Sequence, residues 1–322
     1  MTGKRYGKLS RGMDMKNAKN VKNANYLQVD NEIKQIVERN GVVVLSSREA
    51  WEKFGWSRKW FVGKPEQGYF IWVKKQIDFP LTACATIASP KVSQNLTNLL
   101  IVEKNIKIRA NVVCNAVRND LCGRHEAFGK LVLKDNARLE YNHFHKWGEG
   151  DFVGADYEFM LGRNAVLKYS YENLFTPKNL SLKTDVYSQK NSSANLSLVI
   201  NGANSNIRIR DNVFLKGENA SGIVRLRLVG RKDSRINAKS SITAEAAGNG
   251  HLDCQGLLVD DDSSVKLTPE LISKNKGASI THEASIGRVN DEQMDYLRTR
   301  GLTEREAIDL IVSGFLGANK RF

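Results

Sequence analysis

The chain has 322 residues, of which 41% are apolar and 26% charged, and a formal net charge of +14. That length allows one large domain or two smaller ones with a sizeable core, and the residue balance is that of an ordinary soluble protein. No apolar run approaches the roughly 18 residues that cross a bilayer. No apolar stretch follows the N-terminal charges either, so the expected location is cytoplasmic, with no membrane contact. The four cysteines, Cys84, Cys114, Cys122 and Cys254, are too few and too scattered for a disulfide scaffold; they suit buried packing, metal ligation or redox chemistry.

Residues 1–23 hold seven Lys/Arg against one acid, so this tail carries about +6 and leaves about +8 for the rest. Without an Arg/Gly tract, zinc-finger spacing or aromatic RNA-binding signature, it reads as a solubilising tail, and no nucleic-acid partner is expected. Ile33, Ile36 and Val37 fall on one face of a short helix predicted over Asn31–Arg39. Ser46 or Ser47 caps a second, predicted around Arg48–Phe54. Trp51, Phe54, Trp56, Trp60 and Phe61 then form an aromatic cluster expected to pack this region onto the β-rich segment beyond it.

From Tyr69 to Ile280 short runs of period-two alternation replace helical spacing. The phrase Asn136-Ala137-Arg138-Leu139-Glu140-Tyr141 returns as Asn164-Ala165-Val166-Leu167-Lys168-Tyr169 and then in looser forms. Its leading apolar residues are Leu139, Leu167, Leu196, Ile207, Ile236 and Val265. Four of the five intervals are 28 or 29 residues and the odd one is 11. A polar turn followed by an inward-facing strand at that period predicts a parallel β-helix, whose coils bury their apolar side chains by stacking. A β-sandwich is the structural alternative, with less regular intervals. Asp260-Asp261-Asp262 lacks the alternating ligands of a calcium loop and reads as a solvated turn.

There is no phosphate-binding G-x-x-x-x-G-K-[ST] loop and no G-x-S-x-G nucleophile elbow. What remains is a set of soft and borderline ligands: Cys114, Cys122, His125, His143, His145, His251, Cys254, His282 and Glu283. Thiolate is the natural ligand of iron–sulfur clusters, with His or carboxylate as occasional substitutes. The spacings match no ferredoxin run, so a site must be assembled from distant segments or shared between chains. On strands, Leu252 and Cys254 share one face and His251 and Asp253 the other. His143 and His145 share a face with Leu139 and Tyr141, which leaves a core or hydrogen-bonding role open for one of them.

The C-terminal segment ITHEASIGRVNDEQMDYLRTRGLTEREAIDLIVSGF, Ile280 to Phe315, encodes two short helices. Asn290 with Gln293, and Thr303 with Glu306, are capping boxes in waiting; Gly301 and Gly314 are the stops. The series Thr-His-Glu-Ala, Gly-Arg-Val, Asp-Glu-Gln, Tyr-Leu, Arg-Gly-Leu, Glu-Ala-Ile, Ile-Val-x-Gly-Phe closely resembles the C-terminal end of SufB/SufD proteins, the scaffold subunits of SUF iron–sulfur cluster assembly. Gly250-His251-Leu252-Asp253-Cys254-Gln255-Gly256 resembles the SufB region that holds the cysteine implicated in the nascent cluster. Glu283 after His282 is SufB-like, where SufD proteins typically have glycine. Cys114, His125 and His145-Lys146-Trp147 resemble the short archaeal-type SufB proteins. The likeness is strong over 250–316, moderate over 105–150 and only topological between.

The resemblance implies a mainly β protein: a right-handed parallel β-helix at 69–280, a basic tail and small N-terminal α region at 1–68, and a C-terminal two-helix segment at 281–322 that docks a SufC-like ABC ATPase. Met294 and Leu297 on the first helix, and Ile308, Ile311, Val312 and Phe315 on or after the second, form the expected docking faces; capping of the open solenoid end is the plainer role for them. The implied activity is not enzymatic. The chain would build a transient cluster, a [4Fe-4S] one, on Cys254, Cys114 and Glu283, with Cys122, His282 and His125 in support, and pass it to apo iron–sulfur proteins. Expected partners are a sulfur donor and a second copy, or a SufD-like paralogue, joined at the C-terminal ends. The rival is a β-helical carbohydrate-active enzyme with a basic groove for acidic polysaccharide, which calls for clustered Asp/Lys/Arg and a secretion signal.

Overall fold

The computed structural model describes residues 25–317. The basic tail lies outside the described residues. Strands β1 (Tyr26–Val29), β2 (Glu32–Ile36) and β3 (Val42–Ser46) lead into helix α1 (Ser47–Lys53) and a 3-10 turn at Gly55–Trp60. Sixteen strands come next in unbroken succession: β4 (Tyr69–Val73), β5 (Leu81–Ile87), β6 (Ser93–Val102), β7 (Lys107–Ala116), β8 (Arg124–Leu133), β9 (Arg138–Lys146), β10 (Phe152–Leu161), β11 (Val166–Phe175), β12 (Asn179–Ser188), β13 (Ser193–Ala203), β14 (Asn206–Leu215), β15 (Ala220–Arg231), β16 (Arg235–Ala244), β17 (Gly248–Leu258), β18 (Ser264–Ser273) and β19 (Ser279–Arg288). Helices α2 (Asp291–Thr299) and α3 (Glu304–Leu316) close the described chain.

From β4 onward the even-numbered strands form one sheet and the odd-numbered strands another, all neighbours parallel, so each of eight coils gives one strand to each sheet. This is a parallel β-solenoid, and the parallel pairing rules out the sandwich. Leu139, Leu167, Leu196, Ile207 and Ile236 all lie in one continuous interior core, with Val265 packed against it. The register refines the repeat. Leu167 pairs with Leu139 and Ala194, while Leu196 pairs with Tyr169. The odd interval of 11 residues is the step from β13 in one sheet to β14 in the other.

In five successive coils one turn is set by asparagine. Asn105, Asn136, Asn164, Asn191 and Asn219 all adopt positive φ, between 55° and 63°, a conformation Asn tolerates better than other side chains with a Cβ. Their amides stack as a ladder, Nδ2 donating to Oδ1 of the coil before at 2.8, 2.9, 3.1 and 3.2 Å. The small residues next in sequence, Ala137, Ala165, Ser192 and Ala220, are buried and let the chain enter the next strand.

The predicted helix at Asn31–Arg39 is not formed. Those residues make β2 and its turn: β2 runs antiparallel to β1, while β1 adds in parallel to β5. Ile33 and Ile36 are exposed, so their helical spacing had no apolar surface to meet, and pairing to a sheet edge prevailed. The second predicted helix is α1, with a full Ser46–Glu49 capping box. Trp51, Phe54, Trp60 and Phe61 pack with Phe70, Leu99, Ile101 and Val132 on the outer face of the even sheet, and Trp56 meets Phe70 and Trp72 edge to face. At the other end Asn290 caps α2 through Glu292 N rather than through a box with Gln293. The Thr303–Glu306 box forms, and Gly301 has φ +92°. Gly314 does not end α3: the helix runs to Leu316, and Gly317 at φ +67° supplies the left-handed stop. The sheets also extend beyond 69–280, taking in β1 and β3 before it and most of β19 after it.

Candidate functional site

Period-two alternation dictates what lines the bore. On β17, Leu252 and Cys254 are buried inside, whereas Asp253 faces out and is clasped by Arg227 at 2.8 and 2.7 Å. Interior burial pushes the Cys254 thiol up to about 11, with Asp211 adding to the shift and a hydrogen bond from Ser240 opposing it. Asp211 is itself fully enclosed, its carboxyl raised to about 7 mainly by loss of solvent. Ser240 Oγ donates to its Oδ2 at 3.5 Å, and Oδ1 has no partner. A buried thiol and a buried carboxyl that titrates near neutrality therefore share one interior neighbourhood.

Cys254 lies one strand, and Asp211 two strands, from the end of the solenoid. β19 and β18 are the last strands of their sheets, and their outer edges are unpaired within the described residues. In register with Cys254 on β19 is Ala284, the smallest cover that retains a Cβ. His282 pairs with Leu252, on the interior parity, but is exposed at the open end. Glu283 pairs with Asp253 and points outward, where its Oε1 lies 3.7 Å from His251 Nε2; His251 Nδ1 lies 2.8 Å from Thr281 Oγ1. Cys254 and Glu283 thus occupy adjacent strands on opposite faces of the sheet.

Cys114 stands elsewhere. It lies on β7, in the column that runs through His145, Asn173, Ile200 and Leu228 to Gly256 on β17. Five strand spacings separate β7 from β17, about 24 Å at the usual inter-strand distance. Cys114 was expected as a further ligand beside Cys254, in one chain or shared between two; within one chain the length of the solenoid keeps the two thiols apart. Cys122 is exposed in the turn before β8, at φ +50°. Cys84 is buried against Val113, Leu27 and Phe144, which is packing.

Cys114 instead joins two histidines. Its Sγ lies 3.6 Å from His143 Nε2, which lies 2.9 Å from His145 Nε2. Behind them Tyr171 OH sits 3.0 Å from His145 Nδ1. His125 Nδ1 is 2.8 Å from Gln94 Oε1, while its Nε2 has no partner. Burial holds the His125 imidazole down to about 4 and His143 to about 3, and holds His145 well below its ordinary value, so all three rings are neutral. The sequence pattern placed both His143 and His145 on the inner face but did not reveal that Cys114 meets them. Asp211 was missed altogether, although its parity with Ile207 and Ile209 put a carboxylate among inward-facing residues.

Of the expected docking residues, Ile308, Ile311, Val312 and Phe315 cluster with Leu316, Val229 and Leu257 on the outer face of the odd sheet. Their first role is to hold α3 to the solenoid. Met294 and Leu297 are half-buried on α2, a helix with no buried residue.

Residues 85–315 match the family described as SUF system FeS cluster assembly, SufBD core domain. The chain belongs to that family. An iron–sulfur cluster assembly SufBD family protein of Methanothermobacter thermautotrophicus is 30% identical over 77% of this chain and 62% of its own length. A SufBD family protein of Archaeoglobus fulgidus is 26% identical over 90% of this chain and 84% of its own. The iron–sulfur cluster assembly protein SufB of Bacillus subtilis is 23% identical over 77% and 55%. This chain therefore spans about six-tenths of the Methanothermobacter protein. Among the described residues no helix is long and apolar enough to cross a membrane.

Proposed function

We propose that this chain is a scaffold on which an iron–sulfur cluster is assembled, with the cluster as cargo rather than resident cofactor, and from which it passes to apo-proteins. The observation that carries this reading is the placement of Cys254, a thiol one strand from the uncovered end of a SufBD-family solenoid. Cys254 supplies the soft ligand, and Asp211 beside it is a proton acceptor for the thiol, whose ordinary state in the bore is protonated. His282 and Glu283 on the edge strand complete the shell with weaker donors, which suits a cluster that must leave. Glu283 faces away from the bore and Cys114 is remote, so one chain offers few ligands at this end. Two chains meeting at their C-terminal ends, either identical copies or this chain and a SufD-like paralogue, supply a fuller set. The free edges of β18 and β19, with Ile272 and Ile286 exposed on them, favour that pairing. ATP hydrolysis belongs to a separate ABC-type partner docked on α2, because the chain has no phosphate-binding loop.

The test is anaerobic reconstitution with iron and sulfide, read by visible thiolate-to-iron absorption and by iron content. Wild type should take up a cluster, Cys254→Ala should lose most of it, Glu283→Ala should bind it weakly, and Cys84→Ala should match wild type. A normal yield and spectrum in Cys254→Ala would overturn the assignment.

A further inference from the structure

The Cys114–His143–His145 group makes poor sense as a hydrogen-bonded core alone. His143 Nε2 faces both Cys114 Sγ at 3.6 Å and His145 Nε2 at 2.9 Å. A neutral ring nitrogen offers either one lone pair or one proton, so it cannot make full bonds to both neighbours. The whole group is enclosed in the bore. A buried polar atom so served is destabilising, and an apolar trio at these inward positions would avoid that.

The geometry is that of converging ligands. The three donor atoms lie within 4.8 Å of one another. Tetrahedral coordination, with metal–sulfur near 2.3 Å and metal–nitrogen near 2.05 Å, sets sulfur-to-nitrogen separations of about 3.6 Å and nitrogen-to-nitrogen separations of about 3.4 Å. The Cys114 Sγ–His143 Nε2 distance already has that value, the two nitrogens need to part by about half an ångström, and Cys114 Sγ and the His145 nitrogen lie within 4.8 Å of each other. A cation at the centre meets all three lone pairs together. It also fixes both imidazoles as Nδ1–H, so that His145 donates to the Tyr171 oxygen 3.0 Å away, which Asn173 Nδ2 approaches at 3.3 Å. A hydrogen-bonded backing of that kind is what orients metal-bound histidine.

We infer that Cys114, His143 and His145 form an interior site for a single divalent zinc-type ion, bound by one thiolate and two imidazole nitrogens and separate from the end of the solenoid where Cys254 lies. Binding replaces the thiol proton, which leaves to solvent, so one ion enters for each proton released and no electron is transferred. One thiolate with two imidazoles is a donor set that suits zinc, with a fourth position open.

The test uses the full chain without a histidine tag, purified from zinc-supplemented and from cobalt-supplemented cultures and washed with a mild chelator. Wild type should retain close to one ion per chain, and the cobalt form should show thiolate-to-cobalt charge transfer in the near ultraviolet. Cys114→Ser should abolish that band, and His143→Gln or His145→Gln should lower the retained metal about tenfold or more. Cys254→Ala and Glu283→Ala should keep both metal and band, which separates this site from the assembly centre. Wild type read alone guards against misfolded variants: a folded wild-type chain holding less than about one ion per ten chains overturns the inference. So does a cobalt form without the sulfur band, or unchanged metal in folded Cys114→Ser.

Discussion

Truncation of Leu167 to Ala tests the stacked core at its most confined point. Leu167 is 0% exposed and lies between Leu139 on one side and Ala194 on the other. Three carbons leave an apolar environment, worth about 2.4 kcal/mol at roughly 0.8 kcal/mol for each methylene. A cavity term adds to this, because Ala194 is too short to lean into the gap and Leu139 is held by its own coil. The total should be roughly 3–4 kcal/mol. Urea unfolding measures it as a lower midpoint at unchanged slope. Far-ultraviolet dichroism and the fluorescence of the interior tyrosines must give coincident transitions, since a stacked-coil protein can lose cooperativity. Leu310→Ala, at a position 45% exposed on α3, is the control and should cost less than about 1 kcal/mol. A loss below about 1 kcal/mol for Leu167→Ala would refute the stacking argument.

The same geometry sets two further outcomes. Asp211 has its folded-state pKa raised from 3.8 to about 7, so its contribution to stability is fully present below about pH 4 and is lost as pH rises to about 7, a change of about 4 kcal/mol; wild type should therefore lose stability relative to Asp211→Asn across that window in urea titrations, and a pH-independent difference would show that the carboxyl is not shielded as described. On α2, replacing both Met294 and Leu297 with Asp should reduce co-purification with an ABC-type ATPase about tenfold or more, with unchanged far-ultraviolet dichroism; undiminished recovery of the ATPase would exclude this helix as the docking face.

Much of the fold was legible because a solenoid repeats one local rule. Asn136 and Asn164 announce a left-handed turn, and the residue three positions on points inward, so Leu139 and Leu167 could be placed without knowledge of anything distant. The rule slips where coils change length: Leu196 matched Leu167 by spacing, yet Ala194 is the residue that stacks on it. Helical spacing at Ile33, Ile36 and Val37 misled because β2 pairs with β1, and β1 is itself held by the segment from Thr82 to Thr86, some fifty residues further along the sequence. Gly314 looked like a stop because glycine is one by preference, but the packing of Val312 and Leu316 on Val229 and Leu257 extends α3 past it. Ligand groupings were the least legible part. Which cysteine meets which histidine depends on counting coils, and no spacing in the chain says that four strands of the odd sheet intervene between Cys114 and Cys254.

The two ends of the solenoid are finished differently, and the difference bears on where chemistry can occur. At the start, β3 pairs antiparallel to β4, β2 turns back on β1, and α1 brings an aromatic cluster against the even sheet. At the finish, the edges of β18 and β19 are unpaired among the described residues, Ile286 is 47% exposed, and α3 packs on the outer face of the odd sheet rather than across the end of the bore. Open parallel edges with apolar residues invite pairing with another chain, and proteins ordinarily cover or charge them. Here the uncovered end is also where an interior thiol lies one strand deep with an alanine above it in register. On the proposed function, leaving that end unfinished serves both needs at once: a partner that completes the sheets also brings ligands to Cys254, so the assembly centre forms only when the subunits meet. A capped solenoid would be more self-sufficient, but its thiol would be sealed from iron, sulfur and recipient alike.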